Sequence, residues 1–401
     1  MSRLDSPAES GLPASPGPRG SAVIPPTRPY IGDEEEAAAA AVLRSGWLTQ
    51  GLKVAEFEAA FAEYVGADHA IAVSNCTVAL HLALRALDVG PGDEVICPTL
   101  AFIATANAVV YCGATPVLVD VDDATYNIDP DAVAAAITPR TRAILAVHQL
   151  GLPADLEHLH ALANHRGIVL VEDAACAVGA RYHDTRIGRP RGVFASFSFH
   201  QRNSITTGEG GMITTSDAAL AERVRRLRQH GMALSGLDRH RGATVQFESY
   251  PEIGFNYRMT DLQGAVGIEQ LRKLDGVLTR RRALAHRYTG ALAGVPHLTT
   301  PVEPAGLAHP FQSYMVRVSP SAPLSRDALM VRLLAEGIAT RRGIMCIHRE
   351  APYRKLLGDV FLPTAERVSD EGLILPLYAQ MTDAEQRTVI AAVAAALGSH
   401  S

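Results

Sequence analysis

Short apolar stretches alternate with amphipathic stretches of helical period from residue 69 to residue 172, and this alternation limits the possible folds more than any other feature. Each apolar stretch is too short for a helix, and the segment after it has apolar residues three and four positions apart. Strands joined by helical crossovers form a mostly parallel sheet covered on both faces. The predicted strands are residues 69–73, 94–97, 117–121, 143–147 and 169–172, and the predicted crossover helices are residues 77–87, 104–111, 130–137 and 156–165.

The pattern changes near residue 260. Before it, residues 194–199 and 211–214 predict two further strands, one of them antiparallel. After it come a long helix and then a smaller region that mixes strand and helix patterns. We therefore predict an α/β protein with a large domain at residues 30–260 and a small C-terminal α+β domain at residues 261–401. Residues 1–29 are rich in Ser, Pro, Gly and Ala without a periodic apolar face, and they predict a disordered tail.

Composition narrows the class of protein. The chain has 401 residues, of which 47% are hydrophobic and 20% charged, and a formal net charge of -5. That balance is typical of a soluble protein and gives no basic surface for nucleic acid. No apolar run reaches the roughly 18 residues of a membrane span. The five cysteines are scattered without CxxC spacing, which predicts a reduced cytoplasmic protein with no disulfides and no metal site.

Residues 74–77 (Ser-Asn-Cys-Thr) end one predicted strand and open the next helix. The N–H groups of a first helical turn point outward and favour an anion such as phosphate. Cys76 and Thr77 lie in that turn, and the Thr77 hydroxyl adds a donor. An ordinary helix cap explains the same residues equally well.

Glu172 and Asp173 end the strand that starts at Val169. Ligands of open α/β sheets bind at the carboxyl ends of the strands, so both carboxylates are candidates for a binding site. His148 follows the preceding strand and is a further candidate. A carboxylate that merely caps a loop is the structural alternative for Asp173.

The segment at residues 197–211 reads Phe-Ser-Phe-His-Gln-Arg-Asn-Ser-Ile-Thr-Thr-Gly-Glu-Gly-Gly. It resembles the cofactor loop of the DegT-type sugar aminotransferases, which belong to the fold-type I enzymes of pyridoxal phosphate (PLP). In that family a lysine forms an imine with PLP at the position that Asn203 occupies here. The resemblance extends from about residue 30 to the C-terminus. It implies a fold-type I PLP-transferase fold with a mostly parallel seven-stranded sheet.

The resemblance also implies roles for individual residues. Asp173 would pair with the pyridine nitrogen of PLP, and Phe102 would stack on its ring. Cys176 stands where the family has Gln or His near the ring hydroxyl, which weakens that contact. The implied phosphate contacts are Cys76, Thr77, Ser198 and, across a homodimer interface, Asn256.

Asn203 cannot form the imine, because an amide is not a nucleophilic amine, and it cannot carry a proton at neutral pH. His200 is the nearest ionisable group in sequence, and His148 matches a family motif at a strand end. Both are candidates for proton transfer. If PLP or its amine form PMP binds, the resemblance therefore implies non-covalent binding, and ordinary transamination is not expected.

Residues 340–350 resemble a segment of one subgroup of the family, in which Arg341, Arg342 and His348 face an anionic substrate or the partner subunit. Solvent-exposed arginines are the alternative. The implied substrate is a nucleotide-linked keto or amino sugar or a related biosynthetic intermediate, as in secondary metabolism or antibiotic biosynthesis.

Three other interpretations stay open at this point. The chain could be an enzyme that uses the phosphate pocket for its substrate without PLP, with the Cys176 thiol as a candidate nucleophile. It could be an inactive partner or scaffold of an active homologue. Finally, Asn203 could be an engineered replacement of the lysine that traps a PLP–substrate adduct.

Overall fold

A computed structural model describes residues 23–233 and 247–398 of the chain. The strands are β1 (His69–Val73), β2 (Glu94–Pro98), β3 (Thr115–Val119), β4 (Thr141–Val147), β5 (Val169–Asp173), β6 (Arg181–Tyr182), β7 (Thr185–Arg186), β8 (Phe194–Ser198), β9 (Gly211–Thr215), β10 (Leu298–Thr299), β11 (Leu307–Ala308), β12 (Tyr314–Val318), β13 (Arg341–Arg342) and β14 (Gly372–Leu375). The helices are α1 (Asp33–Ser45), α2 (Leu52–Val65), α3 (Cys76–Ala86), α4 (Ala104–Tyr111), α5 (Pro130–Ala136), α6 (Leu156–Arg166), α7 (Ala218–Leu227), α8 (Asp261–Leu292), α9 (Arg326–Ala335), α10 (Ala351–Leu357), α11 (Pro363–Glu371) and α12 (Asp383–Ala396).

A seven-stranded sheet of order β1-β9-β8-β5-β4-β2-β3 organises the larger part of the molecule. Only β9 is antiparallel to its neighbours, and the other six strands run in one direction. The predicted α/β fold, its mostly parallel seven-stranded sheet and its one antiparallel strand are therefore confirmed. The largest displacement among the predicted strands is that of β3, which we expected at residues 117–121. The apolar pattern continues past Val119, where β3 ends, to Val121. Val121 forms an isolated β-bridge with Ile128, which explains the misplaced end of the predicted strand.

Two apolar clusters cover the two faces of this sheet, as continuous Val, Ile and Ala runs in parallel strands require. One cluster contains Phe57 and Phe61 of α2 together with Phe197 and Phe199. The other packs α3, α4 and α7 on the opposite face. Strand alternation sends neighbouring side chains to opposite faces of the sheet. Because β1, β4, β5 and β8 run in the same direction, their carboxyl ends present their last residues at one edge of the sheet.

Helix α8 connects the two parts of the molecule. Thr260 and Gln263 form a capping box at its start. The Asp261 carboxylate accepts the N–H groups of Gly51, Lys53 and Val54 at 2.7, 3.2 and 3.0 Å, and so caps α2 from a distance in sequence. The first half of α8 packs on the large sheet, and its second half, from Leu284 to Leu292, belongs to the core of the C-terminal region.

The C-terminal region contains a four-stranded antiparallel sheet of order β10-β12-β14-β13. Helices α9 and α12 pack on it through a core that includes Tyr288, Tyr314 and Tyr378. A small three-stranded sheet, β11-β6-β7, lies apart from both large sheets. The predicted domain boundary at residues 260 and 261 stays a prediction, since α8 contributes to both cores.

The predicted disordered tail at residues 1–29 is wrong for its last residues. Ile24 is buried and donates its N–H to the carbonyl of Gly337 at 2.8 Å, and its own carbonyl accepts the N–H of Ala339 at 3.0 Å. An isolated backbone bridge to the distant residue Ile338 gives no periodic signal in so short a segment, which explains the error. Residues 1–22 lie outside the described residues.

Within residues 23–233 and 247–398, none of the helices combines the length and the apolar composition that a membrane span requires.

Candidate active site

The turn between β1 and α3 has the geometry of an anion-binding helix start. The Asn75 side chain caps the N–H of Val78 at 3.0 Å, which leaves the N–H groups of Cys76 and Thr77 in the first turn without intrahelical acceptors. The cap and the anion site therefore involve different N–H groups, and the two interpretations of residues 74–77 are compatible.

Strand β9 holds this turn beside Ser198. Gly211 pairs with Val73 of β1 on one side and with Ser198 of β8 on the other. A Cβ atom on Gly211 would lie 2.6 Å from the backbone carbonyl of Asn75 and 2.9 Å from the nitrogen of Cys76. Only glycine fits there. Because β9 pairs with both β1 and β8, the structure brings the turn with Cys76 and Thr77 close to Ser198.

Asp173 is buried at the end of β5. Its Oδ2 accepts the hydroxyl of Thr105 at 2.9 Å, and its Oδ1 accepts the N–H of Ala175 at 3.1 Å. Burial raises the pKa of Asp173 above its ordinary value, and these two donors and the nearby His148 ring oppose the rise. Across the described parts of the chain, no lysine, arginine or histidine forms an ion pair with this carboxylate. Among those residues Asp173 is therefore a buried acid without an ion-pair partner.

Two thiols lie near Asp173. Burial raises the pKa of Cys76 well above its ordinary value and that of Cys176 to about 12, and the Asp173 carboxylate adds to both shifts. Nucleophilic cysteines need the thiolate form. Since both thiols are protonated at neutral pH, the geometry disfavours the interpretation in which Cys176 is a nucleophile.

Asn203 lies in the loop directly after β8 and is half-buried. Its Nδ2 donates to the carbonyl of Ser198 at 2.9 Å, and its backbone N–H donates to the carbonyl of His200 at 2.9 Å. The His200 ring accepts the N–H of Arg202 through Nδ1, and its Nε2 lies 3.9 Å from an oxygen of Glu209 at the surface. These contacts are with loop groups, and a proton-transfer role of His200 stays a prediction.

The structure contradicts a catalytic role of His148. The ring is completely buried, its Nδ1 accepts the N–H of Ala154 at 3.0 Å, and its Nε2 donates to Glu172 at 3.1 Å. Glu172 also accepts the N–H groups of Arg191 and Gly192. Both ring nitrogens are therefore used inside the fold. A strand-end histidine looks catalytic in sequence because the partners that occupy it come from distant segments.

Phe102 is 70% exposed in the single chain. It stands in the segment between β2 and α4, three residues before Thr105, whose hydroxyl binds Asp173. Asn256 is also exposed, and a backbone bridge joins it to Gln229. Stacking on a ring and a contact across a dimer interface remain predictions for these two residues.

Of the three candidate substrate residues in the C-terminal region, two have other partners. His348 is buried, with Nδ1 2.6 Å from the hydroxyl of Thr99 and Nε2 3.1 Å from Glu366. Arg342 is exposed and lies 3.5 Å from Asp327. The buried His348 ring is occupied inside the fold, and Arg342 fits the alternative of a solvent-exposed arginine. A contact of Arg342 with a partner subunit stays a prediction. Arg341 is different, since it is half-buried, forms no ion pair among the described residues, and its charge opposes the burial-raised pKa of Cys176.

Sequence reasoning missed Thr105 and Arg202. Thr105 lies at the start of α4, in the same turn as Phe102, since its N–H donates to the carbonyl of Phe102 at 3.1 Å. Its position after a predicted strand end is a signal that could have been used. Arg202 directly precedes Asn203, and its charge acts on Arg341. Only the fold brings these two arginines together, so no sequence pattern announces the pair.

Comparison with known proteins gives consistent matches. The chain matches the sequence profile of the DegT/DnrJ/EryC1/StrS aminotransferase family over residues 29–394. The aminotransferase TlmJ from Streptoalloteichus hindustanus is 37% identical, with 93% of this chain and 98% of that chain covered and a TM-score of 0.86. DesV from S. venezuelae, solved with a ketimine intermediate, is also 37% identical, with coverages of 94% and 98% and a TM-score of 0.84. Spr1654 from Streptococcus pneumoniae, known in PMP and PLP forms, is 28% identical, with coverages of 93% and 98% and a TM-score of 0.88.

Proposed function

Because the chain belongs to the DegT/DnrJ/EryC1/StrS aminotransferase family, we propose that it is a sugar-pathway enzyme that binds PLP or PMP without covalent attachment. The observation that carries this proposal is the buried Asp173 carboxylate, which has only neutral donors around it. An uncompensated buried charge costs several kcal/mol. The protonated pyridine nitrogen of the cofactor is a cation that would offset this cost.

With the pyridine nitrogen of the cofactor at Asp173, other residues of the site would contact its phosphate and its ring. The N–H groups of Cys76 and Thr77 and the hydroxyl of Ser198 would hold the cofactor phosphate, with Asn256 reaching it from a second copy of the chain. The exposed ring of Phe102 would stack on the cofactor. When bound, PLP supplies an electron sink at its ring, and Asp173 keeps the ring nitrogen protonated.

The side chain of Asn203 limits the reactions that the proposed enzyme can catalyse. Its Nδ2 donates to Ser198, and its amide has no basic nitrogen, so it neither attaches the cofactor nor accepts a proton. A positioned acid or base contributes about 10² to 10⁴ in rate. Transamination at the usual rate of the family is therefore not expected. The nearby Arg341 is suited to an anionic substrate such as a nucleotide-linked keto or amino sugar.

The test titrates the purified protein with PMP and with PLP and follows the near-ultraviolet and visible spectrum. We expect a saturable spectral change that borohydride does not make permanent. The variant Asn203→Lys should bind PLP in a form that borohydride fixes to the protein, and Asn203→Gln serves as the matched control without an amine. If neither cofactor perturbs the spectrum and Asn203→Lys also fails to bind PLP, the proposal is wrong.

Homodimerisation and a cytoplasmic location belong to the same proposal. Phe102 and Asn256 are exposed in the single chain although the family resemblance places both at a shared site. Sedimentation of the purified protein would give a monomer mass if the shared site does not exist.

A further inference from the structure

Arg202 and Arg341 line one narrow cavity of about 10 Å³. Arg202 belongs to the loop after β8, and Arg341 belongs to the edge strand β13 of the C-terminal sheet. Gln312 and Ser313 form part of the same wall. Space of this size holds about one water molecule, so one oxygen atom of an anion can enter without rearrangement of the walls.

Neither guanidinium has a counter-ion among the described residues. Other arginines of the same region do: Arg317 pairs with Asp123 and Glu371, and Arg349 pairs with Glu366 and Asp370. The polar groups of the wall are occupied, because Gln312 donates to the carbonyl of Arg202 and accepts the hydroxyl of Ser313.

Arg341 is half-buried, and burial together with the nearby charge of Arg202 lowers its pKa. Two like charges held together without an anion raise the free energy of the folded chain. An oxyanion between them would remove this repulsion and accept hydrogen bonds from both guanidinium groups, which favour planar bidentate contacts.

Two observations connect the residues of the cavity with those of the proposed cofactor site. Arg202 directly precedes Asn203 in the chain, and Arg341 is close enough to Cys176 to lower the pKa of its thiol. Cys176 follows Asp173 by three residues. These connections are the reason for assigning an anion in the cavity to the substrate of the proposed enzyme.

We propose that Arg202 and Arg341 together bind one oxyanion, a carboxylate or a phosphate, of the substrate. Its assignment to a substrate depends on the proposed function, whereas the anion site itself depends only on the two side chains. The large sheet supplies one arginine and the C-terminal region supplies the other. Binding of the anion would therefore also hold these two parts of the molecule together.

Calorimetric titration tests whether Arg202 and Arg341 bind an anion. The two probes are glutarate, a dicarboxylate, and UDP, a nucleoside diphosphate. We expect at least one probe to bind, and Arg202→Met and Arg341→Met each to weaken it by about 10- to 100-fold. Arg341→Lys keeps the charge without the planar fork and should fall between wild type and Arg341→Met. Arg342→Met is the matched control, because its guanidinium faces solvent next to Asp327, and it should retain wild-type affinity.

Binding of glutarate alone identifies the anion as a carboxylate, and binding of UDP alone identifies it as a phosphate. The site is refuted if neither probe binds the wild type, if the two variants bind as tightly as the wild type, or if Arg342→Met loses as much affinity. Circular dichroism and thermal unfolding without probe show whether each variant is folded.

PMP binding, measured on the same proteins, separates the two proposals. If PMP does not bind but both arginines are needed for the probe, the cofactor proposal fails and the anion site stands. If PMP binds and the arginine variants bind the probes like the wild type, the anion site fails and the cofactor proposal stands.

Discussion

At the residue scale, the proposed function depends on a buried acid, Asp173, and on an amide, Asn203, at the position where the family resemblance implies a lysine. Asp173 is buried with two neutral donors, whereas residue 203 is an amide that donates to the backbone of Ser198. A buried carboxylate is destabilising unless a cation meets it. In the proposed function the acid meets a cationic ligand, and the amide leaves that ligand held by non-covalent contacts.

Replacement of Asp173 by Asn should weaken PMP binding more than any surface change does. Loss of one member of a buried charge pair costs about 2–5 kcal/mol, so we expect at least a thirty-fold increase in Kd, about 2 kcal/mol. Absorbance titration with PMP measures this Kd. Asp359→Asn, at an exposed position, is the matched control. An unchanged Kd in Asp173→Asn would show that the carboxylate does not meet the ring nitrogen.

The same carboxylate predicts a pH dependence of stability without cofactor. Burial raises the pKa of Asp173 in the folded state above its unfolded value, so the folded chain favours the protonated form. Its favourable contribution to stability is present below the unfolded pKa of about 4 and is lost as the pH rises through the folded pKa. Asn at this position does not titrate.

Urea unfolding at a series of pH values therefore should show Asp173→Asn gaining stability relative to the wild type as the pH rises from about 4. The difference can change by at most about 1.4 kcal/mol per pH unit. Saturating PMP should diminish it, because the bound cation favours the carboxylate. A difference that stays constant with pH would contradict the buried, unpaired state of Asp173.

At the element scale, β9 positions the site although it contributes no polar side chain to it. As the antiparallel strand, it pairs β1 with β8 and thereby sets the distance between the α3 turn and Ser198. Gly211 permits this approach, since a Cβ atom there would lie within 2.9 Å of backbone atoms on both Asn75 and Cys76. Backbone atoms cannot rotate away as a side chain can.

Gly211→Ala should therefore destabilise the protein by about 1–3 kcal/mol and weaken binding of the PMP phosphate. Gly276→Ala is the matched control, because Gly276 is exposed in α8 with open space around its Cβ position. A helix-interior alanine should stabilise by about 0.5–1 kcal/mol. Chemical unfolding of both variants measures the difference, and equal effects of the two substitutions would show that the turn tolerates a side chain.

At the scale of the whole molecule, a buried contact joins the large sheet to the C-terminal region. Thr99 follows β2, and its hydroxyl lies 2.6 Å from His348, which also contacts Glu366 of α11. Backbone groups add to this contact, because the N–H of Ile347 donates to the carbonyl of Thr99 at 2.8 Å. The two parts of the molecule therefore share both side-chain and backbone hydrogen bonds.

A double-mutant cycle of Thr99→Val and His348→Ala should give a coupling energy of about 1 kcal/mol in unfolding experiments. Thr99→Val combined with Arg342→Met is the control pair and should be additive to within about 0.5 kcal/mol. Additivity in the first pair would mean that the two side chains do not stabilise each other across the interface.

The sequence alone determined the α/β class, the order of most elements and the motifs at residues 74–77 and 197–211. These features are local: periodicity, turn residues and spacing act over a few positions and can be read along the chain. The resemblance to an aminotransferase family also rested on such local motifs, and the comparisons confirmed it.

Only the tertiary structure decided which polar side chains remain available for chemistry. The sequence offered His148 for proton transfer and His348 for a substrate contact, but Ala154, Glu172, Thr99 and Glu366 occupy their ring nitrogens. Arg202 carried no signal until the fold placed Arg341 beside it. The physical reason is that hydrogen bonding and charge depend on distance in space, and the partners of these residues come from segments far away in the chain.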